Sequence, residues 1–430
     1  MSPTQAKEHH GAAPPPVPRL LPVPGSPGRT RADESDGHGH TSRAGAVCPA
    51  ETSDARQVDA DVPAAVGRVL DGVLTERVAR AHAVDEQFAT DLAAGVADFT
   101  RVGGKRTRSQ LLWWSLRACG GEDRASIAAA LRIGAALELL QTCALVHDDV
   151  MDGALLRRGR PALHQELRAR YAGSAPAGRA GRFGEAAGIL AGDLALAWAD
   201  DLVAETVLPA TAVRPVRRLW SDMRTEMVAG QYLDVHDQVT SAQALPRALH
   251  TACLKSALYS VARPLALGAS LAGADERTVG ALDAAGRCVG MAFQLRDDLD
   301  DVFGDPGRTG KSGGSDIREG KPTYLTALAR ARAAAAGDER ALEVLDRSLG
   351  DTGLTDAGLA EVRAVLEATG ARTVVGAKAA RLVERGLRHF DGASLDAEAG
   401  SRLRALLCRA AGGGPGPARA PGLGGRESGR

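Results

Sequence analysis

The chain has 430 residues, with 53 lysines and arginines against 53 aspartates and glutamates, so its formal net charge is zero. That balance excludes a general nucleic-acid or anionic-membrane binder, which needs a basic excess, and the length allows one large domain or two small ones. The cysteines (Cys48, Cys119, Cys143, Cys253, Cys288 and Cys408) form no CxxC pair and no short even spacing, which points to a reduced, intracellular protein.

Residues 1–58 are rich in Pro, Gly, Ser, charge and histidine, with runs such as Pro14-Pro15-Pro16 and Gly37-His38-Gly39-His40. This composition buries too little apolar surface to offset chain entropy, so a disordered tail is expected, its histidines solvated rather than metal-bound. Residues 411–430 read the same way. The N-terminus lacks the apolar core of a signal peptide. No uninterrupted apolar window approaches the roughly 20 residues of a membrane span, because Arg132, Glu138 and His147 interrupt the best one. A cytoplasmic protein without a membrane span is expected.

Between the tails, over 59–410, the pattern is helical: alanine, leucine and arginine dominate, and aromatics make up only 3%. Helices are expected near 61–82, 85–98, 105–118, 126–152, 186–206, 211–234, 244–271, 277–302, 322–336, 339–349 and 355–389, with Gly173–Gly184 a loop or insertion. The fold class is all-α, a single large helical bundle, with no sign of a parallel sheet.

The first chemical motif is Gly103-Gly104-Lys105-Arg106-Thr107-Arg108, which leads into a helix. Glycines before a helix start leave backbone N–H groups facing an anion, and cations there oppose the macrodipole unless something negative joins them. Next comes Leu139–Arg160, an apolar run that ends in Asp148, Asp149 and Asp152, then Gly153, then Arg157 and Arg158. Asp148 and Asp152 are four apart, so on a helix their carboxylates share one face. Carboxylates at a helix C-terminus break the local electrostatic rule, the mark of a functional use. Hard oxygens pointing together suit Mg²⁺, which shares its shell with substrate phosphates, and the arginine pair has planar forks that match phosphate oxygens.

A second copy follows at Phe293–Asp301, where Asp297, Asp298 and Asp301 repeat the D-D-x-x-D pattern before Gly304, Pro306 and Gly307 stop the helix. Two such clusters read as two walls of one metal–diphosphate site. Beyond them lie Gly310-Lys311-Ser312-Gly313-Gly314-Ser315-Asp316 and Gly320-Lys321-Pro322-Thr323, a glycine-rich stretch with lysines.

On these motifs the chain resembles the trans-isoprenyl diphosphate synthases of the polyprenyl synthetase family, from about Val69 to about Leu407. The resemblance implies Mg²⁺ held by Asp148, Asp152 and Asp297, with Asp149, Asp298 and Asp301 in support. It implies that Lys105, Arg108, Gln141 and Arg158 bind the diphosphate of isopentenyl diphosphate and that Arg157 binds the allylic diphosphate. Met227–Asp234 resembles the family's G-Q-x-x-D helix, and Lys255-Ser256 takes the place of its Lys-Thr pair, keeping the hydroxyl without the methyl. Lys255 would meet the allylic diphosphate and Ser256 the developing carbocation. Gln294 would lie near the reacting carbons, and Lys311 and Lys321 would close onto the leaving diphosphate. A homodimer is implied by the family alone.

Chain length is expected along the first acidic helix, where Ala144, Gln141, Leu140 and Leu137 fall near the face of Asp148, with Cys143 beside them. Ala144 would lie roughly 6 Å below the metal site, Leu140 roughly 12 Å and Leu137 roughly 16 Å. Family members that stop at farnesyl often carry an aromatic side chain where Cys143 or Ala144 stands. Two small residues here favour geranylgeranyl diphosphate, with farnesyl or a longer polyprenyl product as alternatives. A class I terpene cyclase would carry an Asn/Asp-Ser/Thr-Glu second motif and lack the basic elements. A non-catalytic regulatory partner would tolerate loss of the aspartates or arginines, all of which are present.

Overall fold

Alanine, leucine and arginine are strong helix formers, and they make helices of nearly everything described in the computed structural model, which covers residues 54–174, 176–240, 244–304 and 313–412. In order these are α1 Ala55–Ala60, α2 Val62–His82, α3 Glu86–Phe88, a π-turn at Ala89–Ala93, α4 Ala94–Val102, α5 Thr107–Ala118, α6 Arg124–Met151, α7 Leu163–Arg170, α8 Ala177–Ala204 and α9 Val213–Thr240. There follow α10 Leu245–Ala252, a π-helical stretch Cys253–Ala262, α11 Arg263–Leu271, α12 Glu276–Phe303, α13 Ser315–Arg318, α14 Tyr324–Ala336, α15 Glu339–Ser348, α16 Asp356–Ala368, α17 Ala371–Asp391 and α18 Ala397–Ala410. The fold is all-α, as expected.

Several boundaries differ from the sequence expectation. The helix α1 starts inside the stretch assigned to the N-terminal tail, with the Asp54 side chain accepting from Arg56 N as its cap. Most of Gly173–Gly184 is helical rather than loop, because α8 begins at Ala177 behind Pro176. The expected helix 355–389 is two helices, separated at Gly370, whose φ of 70° is left-handed. The terminal helix α18 lies beyond the last helix expected from the sequence. Between α6 and α7 a two-stranded antiparallel hairpin pairs Leu156 with Pro161 and Arg157 with Arg160. Its turn residues Arg158 and Gly159 both have positive φ, 55° and 76°, which a type I′ turn requires.

The helix α6 is the axis of the main core. Leu131, Ile133, Leu137, Leu139 and Leu140 are buried along it, and it packs chiefly on α8, with α5 and α2 on other sides. By length and composition α6 is apolar enough to cross a membrane, with a mean hydropathy of 1.5, yet 78% of that window is buried inside the protein. Arg132, Glu138 and His147 therefore do not rule it out on composition; its burial against neighbouring helices accounts for its apolar character. A second apolar cluster, with Val302, Leu325, Leu345, Val362 and Leu366, sits between α12 and the helices that follow it. The helix α12 lies against the π-helical stretch at close range: a Cβ on Gly290 would fall 2.6 Å from Ala257 Cα. A Cβ on Gly230 of α9 would fall 2.5 Å from Lys255 N. These contacts draw α9, the π-helical stretch and α12 together beside the end of α6.

Candidate active site

Both long acidic helices start from aspartate caps, Asp123 on α6 and Asp275 on α12, and both run to aspartates at their C-terminal ends. On α6 the regular helix ends at Met151 and Asp152 is its C-cap, followed by Gly153 with φ of 62°. Asp148 Oδ1 accepts from Gln231 Nε2 at 3.0 Å and from Lys255 Nζ at 3.3 Å, and Arg157 Nη2 lies 3.5 Å from its Oδ2. Lys255 also donates to Asp234 Oδ2 at 2.6 Å. Arg157 Nε donates to Asp149 Oδ1 at 2.6 Å. Lys321 donates to Asp152 Oδ2 at 3.0 Å and pairs with Glu319 at 2.5 Å.

From α12, Gln294 Nε2 donates to Asp298 Oδ1 at 2.7 Å. Asp301 accepts from Ser315 Oγ at 2.5 Å and from Asp316 N at 3.0 Å, so it anchors the start of α13 and does not line the cavity. One cavity of about 750 Å³ is lined by Gln141, Asp148, Asp152, Arg157, Arg158, Lys255, Ser256, Gln294, Asp297, Asp298 and Lys321. Asp234 of the G-Q-x-x-D helix and Asp316 of the glycine-rich stretch line it as well, as do Asp237, Glu319 and Tyr324, which no sequence motif pointed to. Lys311 lies outside the described residues.

The remaining expected residues stand off the cavity. Lys105 is exposed, and Arg108 sits behind the wall, donating from Nη2 to Ser260 Oγ at 2.8 Å with its guanidinium 4.3 Å from the centre of the Tyr259 ring. Arg158 links this group to the cavity, since it lines the space and donates to the Gly103 carbonyl. Leu137, Leu140 and Cys143 are buried in the core and Ala144 is half-buried; none of the four lines the cavity, which meets α6 at Gln141 and Leu145. Tyr259 was missed: its hydroxyl donates to Gln141 Oε1 at 3.0 Å while its ring stacks under Arg108. The available signal was a tyrosine inside a buried apolar run, whose hydroxyl needs a partner.

The electrostatics are those of a site built for ionic ligands. Burial opposes ionisation of Asp148, but Lys255, Lys321 and Arg157 outweigh it and hold the carboxyl below its usual range. The other acids move up. Burial raises Asp149 and Asp152, burial with Asp316 close by pushes Asp298 well up, and burial with Asp301 raises Asp316. Arg158 is pushed down chiefly by burial, which outweighs the pull of Glu138, with Arg157 and Arg108 adding to the downward shift. Burial is the first cause of the upward shifts among the acids, while the burial of Arg157 is outweighed by Asp149, Asp148 and Asp152, which raise it. Among the described residues no three candidate ligands close into a cage of their own. Hard oxygens without a closed cage fit Mg²⁺, which leaves coordination positions for phosphate oxygens.

The polyprenyl synthetase family model matches residues 91–359. The chain is 33% identical over 245 residues to the short chain isoprenyl diphosphate synthase of Methanothermobacter thermautotrophicus, covering 56% of this chain and 68% of that one. To the geranylgeranyl diphosphate synthase of Mycobacterium tuberculosis it is 33% identical over 250 residues, covering 56% and 62%. It is similar to the crystal structure of geranylgeranyl pyrophosphate synthase from Corynebacterium glutamicum complexed with isoprenyl diphosphate and magnesium, with a TM-score of 0.74, 37% identity, and coverage of 80% of this chain and 98% of that one. Two acidic helix ends meeting across a cation-lined cavity, in a chain matched over most of its folded length, lead to one conclusion: this protein belongs to the polyprenyl synthetase family and is a prenyltransferase.

Proposed function

We propose that the protein condenses isopentenyl diphosphate head to tail with allylic diphosphates, in an Mg²⁺-dependent reaction whose main product is geranylgeranyl diphosphate. The observation that carries this reading is that Asp148, Asp152, Asp297, Arg157, Lys255 and Lys321 line one cavity of about 750 Å³ together. In it, Asp148, Asp152 and Asp297 would hold Mg²⁺, which when bound neutralises charge on the departing diphosphate. Arg157, Lys255 and Lys321 bind the allylic diphosphate, and Lys311 belongs to the same group in this reading. Such preorganised charge is the largest usual contribution to catalysis. Ser256 and Gln294 face the reacting carbons, where the allylic cation is attacked by the double bond of isopentenyl diphosphate. Gln141 and Arg158 on the cavity wall hold that second substrate, and in this reading Lys105 and Arg108 come to it from off the cavity. The proton leaves with the released pyrophosphate, since Glu319 on the cavity wall is tied to Lys321 at 2.5 Å. A homodimer and a cytoplasmic location belong to the reading on family resemblance.

Product analysis tests it. Purified protein with Mg²⁺, isopentenyl diphosphate and, in parallel, dimethylallyl, geranyl or farnesyl diphosphate should give geranylgeraniol after dephosphorylation from all three primers. Farnesol or longer alcohols would keep the chemistry and defeat the chain length; a cyclic hydrocarbon would mean a cyclase. Chain length rests on Ala144, with Leu140 and Leu137 as floor beneath it. Ala144→Phe should shift the product to farnesyl diphosphate, and an unchanged product would place the tail elsewhere. Tyr259→Phe removes the hydroxyl donated to Gln141 and keeps the ring under Arg108. It should raise KM for isopentenyl diphosphate roughly 5- to 10-fold, the size of one net buried hydrogen bond, while KM for the allylic substrate stays put.

A further inference from the structure

Asp149 is 1% exposed. Its Oδ1 accepts from Arg157, but its Oδ2 is buried without a partner. A carboxylate oxygen in that position calls for a donor, since buried polar atoms without one are rare and costly. The donor at hand is on α7. His164 is 3% exposed, and its Nδ1 is also buried without a partner. The other ring nitrogen lies 2.9 Å from Gln165 Nε2. With the Gln165 amide oriented this way its nitrogen donates, which makes His164 Nε2 the acceptor and assigns the proton of the neutral ring to Nδ1. The orphaned donor and the orphaned acceptor sit on neighbouring elements: a Cβ on Gly188 of α8 would fall 2.6 Å from Val150 Cγ2, next to Asp149, and 3.0 Å from His164 Cβ.

The fold holds the ring in place. The helix α7 packs on α8 where α8 carries glycines: a Cβ on Gly184 would fall 2.5 Å from the His164 carbonyl oxygen, and one on Gly188 would fall 3.0 Å from His164 Cβ. His164 follows the hairpin that carries Arg157, so the chain leaves Asp149 on α6, presents Arg157 on the hairpin and returns with His164 on α7. We propose that His164 is a positioning residue, donating from Nδ1 towards Asp149 Oδ2 through one water, and thereby fixing the carboxylate that aims Arg157 into the cavity. The inference rests on the reading of Arg157 as an allylic-diphosphate contact.

Kinetics of three variants test it, with each substrate varied in turn. An asparagine amide can stand where Nδ1 stands, a glutamine amide only where Nε2 stands, and leucine offers neither. His164→Gln and His164→Leu should raise KM for the allylic diphosphate about tenfold or more, the usual loss when a residue supporting a ligand is removed, with KM for isopentenyl diphosphate unchanged. His164→Asn should stay within about threefold of the wild type. Asparagine as poor as glutamine and leucine, or equal losses for both substrates, would show His164 to be ordinary packing. Arg157→Ala is the control: no rise in its allylic KM would defeat the Arg157 reading itself. The hydrogen bond can be judged separately from ¹⁵N spectra of histidine-labelled wild-type protein, with His164 assigned by its loss in His164→Asn. A protonated Nδ1 supports the proposal and a protonated Nε2 overturns it, even if the glutamine and leucine variants fail to fold.

Discussion

Asp148→Ala will lower kcat by at least about 10³-fold and leave the helical circular dichroism unchanged. Three cations converge on this carboxylate, and their pull overcomes its burial, so it is ionised over the working pH range. Nothing else on α6 can replace it, because Asp149 turns to Arg157 and Asp152 to Lys321. Loss of one preorganised charge-stabilising group typically costs about 10²–10³ in rate, and a lost metal ligand costs more. The fold survives because the cations keep other partners, Lys255 with Asp234 and Arg157 with Asp149. Asp297→Ala should behave alike from the opposite wall. Wild-type turnover in either variant would sink the metal assignment.

Asp298→Asn should make the metal-free protein more heat-stable while costing activity. Asp298 is 5% exposed, and burial with the nearby Asp316 pushes its carboxyl well above the ordinary range. A carboxyl whose folded pKa is raised binds more protons in the folded state, so its contribution weakens stability as pH rises. The penalty is absent below the unfolded pKa of about 4, grows above it and levels off beyond the folded pKa. Asparagine keeps the acceptor for Gln294 without the charge. The gain over wild type should therefore be nil near pH 4 and largest at pH 8, on the order of 2 °C for each kcal/mol relieved. A gain that is flat with pH, or a loss at pH 8, would mean that Asp298 is well compensated. The same site predicts that more Mg²⁺ is needed for half-maximal rate as pH falls, because protons compete for the raised carboxyls.

How far the sequence reached depended on whether the signal was local. The two D-D-x-x-D clusters each sit on one helix, where spacing alone sets the shared face, and the cavity does gather Asp148, Asp152 and Asp297. Helix class was equally plain, since period and composition agree along the chain. The breaks were harder. Gly370 divides α16 from α17 by a left-handed backbone angle that an unbroken apolar period hides, and Gly178, Gly181 and Gly184 made the start of α8 look like a loop. The hairpin leaves no mark in the sequence, because Arg158-Gly159 is not one of the usual turn pairs. Tyr259, Asp237 and Glu319 reach the cavity or its supports through contacts between distant segments, such as Tyr259 with Gln141, 118 positions apart. Spacing in one segment carries no such information. Leu137, Leu140 and Ala144 fall near the Asp148 face of α6 with Cys143 beside them, yet Leu137, Leu140 and Cys143 are buried in the core, Ala144 is half-buried and none lines the cavity.

The burial of α6 also bears on how the protein is made. Its apolar face is satisfied mostly by α8, and α5 beside it by α11, all encoded downstream of both helices. At roughly 5–20 residues per second, Leu271 is translated roughly 6–24 s after Met151. For the first part of that interval, until α8 is made, the 28-residue α6 has the hydropathy of a bilayer span and only α2 and α5 to cover it. Chaperones and the insertion machinery compete for such a segment. Codon choice and chaperone supply between α6 and α11 would thus govern soluble yield, although neither changes a single contact in the finished molecule.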